Sequence, residues 1–252
     1  ATPSYFRLMI ASGWSGCADL SVWCGGEAMT PELAVALHER CGTLWNLYGP
    51  TEATVWASAW QVVPDEPISL GGELPGTTVE LVDPSGAVLT AAGAEGELRI
   101  SGAGIADGYL GGTPADDARF DVTSTARRYL TGDRARREPD GSLSFLGRVD
   151  NQVKLRGHRL ELGEIEATLE SHPAVVEAVV VLVAADDAER AHLAGAVVTR
   201  DRVTVRELRR WLGDRLTAVM LPRTLHIVAT LPRTSAGKLD RVGIARWLAE
   251  AG

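Results

Sequence analysis

GRVDNQVKLRGHRLELGEIE, residues 147–166, is the densest run of charged and apolar residues in the chain. The residue pattern of the chain before this stretch differs from the pattern after it. Charged and apolar side chains alternate up to Arg156, as in a strand with one exposed face. A glycine then leads to an acidic stretch that suits the positive end of a helix dipole. A salt-bridged surface hairpin would look similar. We place a domain boundary at Asp150.

The residues before this boundary predict one clear helix and a β-rich module. Thr30 and Pro31 have the N-cap and first-turn preferences of a helix that continues to Arg40. Between Ile68 and Leu146, short alternating runs are separated by turn dipeptides, which is typical of β-structure.

The residues after the boundary predict a compact α+β unit, because strand and helix patterns follow one another at short intervals. The predicted elements are a strand at 151–156, a helix at 162–170, strands at 175–183 and 193–198, a helix at 204–216, a strand at 224–228 and a helix from 242.

Composition excludes several classes of protein. The chain has 252 residues, 45% hydrophobic and 23% charged, as globular proteins do. Its formal net charge of −8 disfavours nucleic acid as a partner. No apolar run approaches the roughly 20 residues that span a bilayer, so no membrane association is expected. Three cysteines without CxxC spacing indicate neither disulfides nor zinc, and favour the reducing cytoplasm.

The first candidate site motif is NLYGPTE, residues 46–52. Its Gly-Pro pair predicts a tight turn, and Thr51 and Glu52 directly after it could hold Mg²⁺ and a phosphate. Tyr48 offers a face to a flat ring. An ordinary exposed turn would contain the same residues.

Two further motifs present single charged side chains on turns. Asp133 follows a strand-like stretch and a glycine, where a carboxylate could accept both hydroxyls of a ribose or simply occupy the turn. Lys238 follows an Ala-Gly loop, which suits a cation that moves to a developing negative charge, although most loop lysines are only solvated. Neither GxxxxGK[ST] nor GxGxxG occurs.

The order and spacing of these stretches resemble the adenylation domains of nonribosomal peptide synthetases, in the superfamily that includes acyl-CoA synthetases and luciferases. Residues 25–29, 96–102 and 108–110 add to the resemblance, which covers nearly the whole chain. QVKLRGHRLE, residues 152–161, resembles the peptide-synthetase branch in particular.

The resemblance implies an α+β fold in two parts. Residues 1–149 would form the C-terminal portion of the large subdomain, with an α/β layer and a distorted β-barrel, and residues 150–252 the mobile small subdomain. Asp150 would be the hinge between them, and we expect it to have few fixed contacts.

The implied activity has two steps. An amino acid carboxylate attacks the α-phosphate of ATP with Mg²⁺, and the phosphopantetheine thiol of a peptidyl carrier protein then takes the acyl group. Tyr48 would stack on adenine, while Asp133 and Arg148 would hold the ribose. Thr51 would contact the α-phosphate and Glu52 would bind Mg²⁺.

Lys238 would bridge the substrate carboxylate and the α-phosphate, and Gly26 would lie in the nucleotide site. The implied substrate pocket consists of Trp23, Gly25, Leu47, Val55 and Trp56. Two indoles and no charge predict a small neutral amino acid, with glycine favoured. The indoles could equally be core residues.

Some features depart from the family pattern. The family's Ser/Thr/Gly-rich phosphate loop would lie upstream of Ala1, so the chain alone is expected to adenylate poorly and to need that upstream part. Lys238 follows Ala236 and Gly237, where Asn-Gly is usual. Two alternatives stay open, an acyl- or aryl-CoA ligase and a non-catalytic module that docks a carrier protein.

Overall fold

The chain divides into two units, Ala1–Asp150 and Asn151–Gly252. The computed structural model describes residues 1–64, 66–122, 127–185, 187, 190–234 and 237–251. Each unit mixes helices with strands and has its own buried apolar clusters, so the predicted α+β class is confirmed. Within the described part of the chain, no helix is both long and apolar enough to cross a membrane.

The first unit begins with a four-stranded sheet and two helices. These elements are α1 Pro3–Ala11, β1 Cys17–Gly25, α2 Pro31–His38, β2 Cys41–Tyr48, β3 Ser58–Gln61 and β4 Gly72–Glu73. The strands β1 and β2 are parallel, and β3 and β4 extend the sheet in antiparallel fashion. Because parallel strands end at the same edge, Gly25 lies beside Leu47 there.

Helix α2 begins where the sequence predicts. Thr30 Oγ1 accepts a hydrogen bond from the Leu33 N–H at 3.3 Å, and Pro31 occupies the first turn. Leu33 and Leu37 are buried in the cluster below the sheet. The predicted helix is therefore confirmed, although it ends at His38.

A second sheet of five strands follows in the first unit. Its elements are β5 Thr77–Val82, β6 Glu95–Gly102, α3 Pro114–Asp117, β7 Phe120–Val122, β8 Arg127–Arg137 and β9 Leu143–Arg148. The strands pair in the order β5–β6–β8–β7, and β9 also pairs with β8. Among the described strands no pairing closes a ring, so the expected barrel is an open sheet here.

Strand β8 organises this sheet, because it pairs with β6, β7 and β9. Leu98, Ile100 and Tyr129 are fully buried around it. The antiparallel register with β9 sets Asp133 opposite Arg148. A carboxylate and a guanidinium therefore face each other where β9 ends.

The described residues of the second unit form a two-stranded hairpin, a three-stranded sheet and three α-helices. These elements are β10 Gln152–Leu155, β11 His158–Glu161, α4 Leu162–Glu170, β12 Val175–Val183, β13 His192–Thr199, α5 Val205–Gly213, β14 Thr224–Val228 and α6 Arg241–Ala251. Strand β13 lies between an antiparallel β12 and a parallel β14. Neighbouring residues of β12 are buried in different clusters, Val180 in one and Val179 in another, which explains its uninterrupted apolar sequence.

Candidate functional site

Three predicted nucleotide-site residues form one hydrogen-bonded cluster in the first unit. Asp133 accepts at Oδ1 from Arg148 Nη1 at 2.6 Å and at Oδ2 from the Tyr48 hydroxyl at 2.8 Å. Asp133 is only 7% exposed, and a buried carboxylate needs such partners. The structure thus brings Tyr48, Asp133 and Arg148 together, while their roles toward a nucleotide stay predictions.

Tyr48 acts as a donor in this cluster. Burial, and then the negative charge of Asp133, raise the pKa of the Tyr48 hydroxyl well above its usual range. The hydroxyl therefore keeps its proton for the bond to Asp133. The ring packs against the core of the second sheet.

Asp150 is held by two arginines, which corrects one expectation. Arg148 donates from Nε to Asp150 Oδ1 at 2.7 Å and from Nη2 to Oδ2 at 2.8 Å. Arg119 Nη2 donates to the same Oδ2 at 2.9 Å. The expectation of few fixed contacts is therefore wrong, because the pairing of β9 with β8 brings this carboxylate beside Gly132. The hinge role itself stays a prediction.

Arg119 is a residue of this cluster that sequence reasoning missed. It lies between α3 and β7, and its contact with Asp150 joins residues that are far apart in the sequence. No local motif marks such a contact, since it depends on the pairing of β7 with β8.

The segment after Tyr48 forms a tight, strained loop. A 3₁₀ turn covers Thr51–Ala53, and Thr54 and Val55 then adopt φ angles of +56° and +76°. Positive φ is rare for β-branched residues and costs on the order of 1–3 kcal/mol each. Gly49 fits because a Cβ there would stand 2.5 Å from the Val55 carbonyl oxygen. The loop thus holds a defined shape, as functional loops often do.

Glu52 lies at the buried side of this loop rather than on an exposed turn. It is 6% exposed, and its Oε1 accepts from the Tyr129 hydroxyl at 3.0 Å and from the Tyr109 hydroxyl. Burial and the bond to Glu52 raise the pKa of Tyr109, so that this hydroxyl remains a donor. Thr51, by contrast, is exposed. No local motif in the sequence indicates the contact of these two tyrosines with Glu52.

Three of the five predicted pocket residues meet at the edge where β1 and β2 end. A Cβ on Gly25 would stand 2.3 Å from the Leu47 carbonyl oxygen and 2.8 Å from two ring atoms of Trp56. Leu47 is buried. The indole of Trp56 therefore covers Gly25, and no larger residue fits at position 25 without displacing it.

The other two predicted pocket residues are exposed. Trp23 is 59% exposed, so it is not a core residue of the first unit, and Val55 is 53% exposed. Trp23 shares a strand face with Gly25, whereas its neighbours Val22 and Cys24 are buried on the opposite face. Gly26 follows with a φ angle of +88°, which favours glycine.

Lys238 lies in the second unit on an exposed turn. The Thr234 N–H donates to the Lys238 carbonyl oxygen at 2.7 Å, and Arg233 forms a β-bridge with Leu239 across the turn. Arg233 also bonds Glu177 of β12. The turn is thus fixed at its base while the lysine side chain is exposed. Ala236, part of the family departure, lies outside the described residues.

The donor chemistry near Glu52 fits a magnesium ion. Mg²⁺ prefers oxygen ligands and commonly takes one or two carboxylates together with substrate phosphates. Thr51 and Glu52 supply a hydroxyl and a carboxylate on consecutive residues. The described residues contain no cluster of three or more His, Cys, Asp or Glu side chains that could form a complete metal cage. Nucleotide phosphates and water would therefore complete the coordination.

Comparison with known proteins agrees with the family resemblance of the sequence motifs. The model of the AMP-binding enzyme family matches residues 1–110, and that of the AMP-binding enzyme C-terminal domain matches residues 164–238. Tyrocidine synthase 3 of Brevibacillus parabrevis is 40% identical over 248 residues, which are 95% of this chain and 4% of that protein. Phosphinothricin tripeptide synthetase PhsC of Streptomyces viridochromogenes is 43% identical over 242 residues, 92% of this chain and 22% of that protein.

Solved structures agree. Holo-AB3403, a four-domain nonribosomal peptide synthetase bound to AMP and glycine, is 36% identical with a TM-score of 0.56, covering 96% of this chain and 18% of that one. The chain therefore belongs to the AMP-binding enzymes, in the branch formed by the adenylation domains of nonribosomal peptide synthetases. It spans 22% or less of the length of these relatives.

Proposed function

We propose that the protein activates an amino acid as aminoacyl-AMP and transfers it to the phosphopantetheine thiol of a peptidyl carrier protein. The observation that carries this proposal is the cluster of Tyr48, Asp133 and Arg148 beside the turn that presents Thr51 and Glu52. Peptide synthetases among the relatives support the same activity.

The cluster is suited to hold the ribose of ATP. Arg148 and Tyr48 each occupy one oxygen of Asp133, which fixes the carboxylate in one orientation. A carboxylate oxygen has two lone pairs, so each can still accept a hydroxyl proton. Asp133 would thus receive both ribose hydroxyls while Arg148 compensates its charge.

The chemistry then follows from charge development at the α-phosphate. A carboxylate oxygen of the amino acid forms a bond to the α-phosphorus as the bond to pyrophosphate breaks. In the second step the thiol loses its proton, the sulfur attacks the acyl carbon, and AMP leaves with the bonding electrons. Lys238 would supply a cation to the negative charge that gathers in the first step.

Glu52 would hold the magnesium ion together with the nucleotide phosphates, and Thr51 would contact the α-phosphate. When bound, the ion would supply positive charge that offsets the charge of the leaving pyrophosphate. The tyrosine hydroxyls at Glu52 would keep its carboxylate oriented.

A small neutral amino acid is the proposed substrate, with glycine favoured. Trp56 covers Gly25, so little volume is left for a substrate side chain at that point. None of the five pocket residues carries a charge. The glycine bound in the related AB3403 structure supports the same choice.

Amino-acid-dependent exchange of labelled pyrophosphate into ATP, measured on the complete protein with a panel of amino acids, tests this function. Asp133→Asn and Arg148→Gln should each reduce exchange, mainly by raising the KM for ATP. Arg134→Gln is the matched control, because Arg134 lies on the same strand in an exposed ion pair with Glu95. It should leave exchange unchanged.

Two outcomes would contradict the proposal. Exchange that depends on acyl or aryl acids but not on amino acids would indicate a CoA ligase. Nucleotide-independent binding of a carrier protein with no exchange at all would indicate a docking module.

A further inference from the structure

The side chain of Arg119 is connected to the nucleotide cluster through Asp150. Its Nη2 donates to Asp150 Oδ2 at 2.9 Å, and Arg148 donates to both oxygens of the same carboxylate. Arg148 in turn donates from Nη1 to Asp133. Two guanidiniums and two carboxylates thus alternate along a chain of charged hydrogen bonds that ends at the predicted ribose site.

Gly132 allows this convergence. A Cβ on Gly132 would stand 2.6 Å from Arg148 Nη2 and 2.9 Å from both Arg119 Nη1 and Asp150 Oδ2. Its φ angle of +75° also favours glycine. Three charged groups therefore occupy the space that a side chain at position 132 would fill.

Asp150 is one of the groups that orient Arg148, together with the Thr131 carbonyl oxygen, which accepts from Arg148 Nη2 at 3.1 Å. A bidentate pair between a guanidinium and a carboxylate fixes the plane of the guanidinium. Since Nε and Nη2 of Arg148 both contact Asp150, the position of Asp150 contributes strongly to where Nη1 points. Nη1 is the nitrogen that reaches Asp133.

Arg119 is well placed to fix Asp150. The Leu130 N–H of β8 donates to the Arg119 carbonyl oxygen at 2.9 Å, so the Arg119 backbone is attached to the central strand of the sheet. Its side chain is about one-third exposed, and that of Arg148 is 13% exposed. Arg119 therefore anchors the outer end of the chain of charges while Arg148 lies deeper.

We propose that Arg119 is a positioning residue for nucleotide binding, which acts by holding Asp150 so that Arg148 stays directed at Asp133. This inference rests on the proposed function, because it takes Asp133 and Arg148 as the ribose site. Arg119 itself contacts neither the substrate nor the reacting atoms. Its loss should weaken ATP binding rather than slow the chemical step.

The test compares Arg119→Gln, Arg119→Lys and the control Arg134→Gln in the complete protein. We expect Arg119→Gln to raise the KM for ATP about tenfold, as loss of a charged hydrogen bond does, with little change in kcat. Arg119→Lys keeps a cation that can donate a hydrogen bond to Asp150, so it should restore most of the affinity for ATP. Arg134→Gln should change neither parameter.

Equilibrium binding of ATP without amino acid gives a second readout. Affinity should fall in Arg119→Gln, and adding Arg119→Gln to Arg148→Gln should cause little further loss, because Arg119 acts through Arg148. Independent, additive losses would overturn the inference, as would an unchanged KM in Arg119→Gln. The inference would also be overturned if Arg119→Gln lowered kcat and kcat/KM equally and Arg119→Lys did not restore them.

Two further measurements cover the cases in which a variant does not fold or the wild type shows no exchange. If Arg119→Gln does not fold, Asp150→Asn decides: a raised KM for ATP supports the inference and an unchanged one overturns it. If wild-type protein shows no exchange, the proposed function fails, while ATP binding by the Arg119 variants still reports on the positioning role.

Discussion

The indole of Trp56 covers Gly25, so closely that a Cβ on Gly25 would stand 2.8 Å from the Cη2 and Cζ3 atoms of the ring. Gly25 ends β1, and Trp56 follows the strained residues Thr54 and Val55. The ring position is thus set by an unusual loop conformation. Replacing this ring is the most direct way to enlarge the predicted substrate pocket.

We expect Trp56→Ala to widen selectivity toward larger neutral amino acids and to weaken binding of the native one. The change removes on the order of 150–250 Å² of aromatic surface. Trp23→Ala should have a smaller effect, because Trp23 is already 59% exposed. Pyrophosphate exchange across an amino acid panel measures both.

Trp247→Ala controls for loss of an indole, since Trp247 lies on α6 in the second unit. Unchanged selectivity in both Trp56→Ala and Trp23→Ala would show that these indoles do not line the pocket.

Tyr109→Phe should weaken magnesium binding. The variant removes one of the two hydroxyls that donate to Glu52 Oε1, while the Tyr129 hydroxyl remains. Partners that orient a metal ligand are commonly worth about 10–100-fold in affinity, and with the Tyr129 hydroxyl still in place we expect the lower end. A titration with Mn²⁺ in the presence of ATP, followed by electron paramagnetic resonance, measures the metal affinity independently of activity.

Tyr5→Phe is the matched control, since Tyr5 is exposed on α1. Equal Mn²⁺ affinity in wild type and Tyr109→Phe would exclude Tyr109 from a role at the metal.

The three cysteines should differ sharply in alkylation. Burial raises the pKa of the Cys24 thiol to about 12, and burial also raises that of Cys41, whereas Cys17 is exposed. The thiolate is the reactive form, so iodoacetamide at about pH 8 should label Cys17 in the folded protein and the other two only after unfolding.

Mass spectrometry of digested peptides measures this labelling. In Cys17→Ser, native labelling should be nearly abolished. Labelling of Cys24 as fast as Cys17 in folded protein would contradict the burial of β1's inner face.

Local signals in the sequence predict the helices well, because helix starts depend on neighbouring residues. Thr2, Thr30 and Thr113 each cap a helix, and each precedes a proline. Of these three helices, the one at Thr30 is predicted above, and the same Thr-Pro pair marks the starts of the other two. Strand β12 was predicted because a run buried on both faces is continuously apolar.

The sequence marks candidate site residues but not the contacts between them. Asp133 and Arg148 are separate motif residues in the sequence, and only the register between β8 and β9 sets them opposite each other. The contact between Arg119 and Asp150 likewise depends on strand pairing and on the space at Gly132. The positive φ angle of Val55 has no sequence signal, because β-branched residues normally avoid it.

Asp150 allows its carboxylate and its backbone to be tested separately. Asp150→Ala removes the acceptor of Arg148 and Arg119, so it should raise the KM for ATP while both half-reactions proceed. Asp150→Pro does the same and also fixes φ near −65°, so it should block one of the two half-reactions if residue 150 is a hinge.

Pyrophosphate exchange reads the first half-reaction, and thioester formation from preformed aminoacyl-AMP reads the second. If the proline and alanine variants behave alike in both assays, the hinge assignment is wrong.

Lys238→Ala should lower adenylation about 10²–10³-fold, the range found when a preorganised group that stabilises transition-state charge is removed. Thioester formation from preformed aminoacyl-AMP should be much less affected, since no bond to the α-phosphorus forms or breaks in that step and the phosphorus never becomes pentacoordinate. The turn should survive the change, because it is held by the Thr234 N–H and by the contacts of Arg233 rather than by the lysine side chain. Arg246→Ala is the control, as it removes an exposed cation from α6 of the same unit. Equal loss in the two half-reactions of Lys238→Ala, or a comparable loss in Arg246→Ala, would assign the effect to the general charge of this unit and not to a lysine that acts at the reacting phosphate.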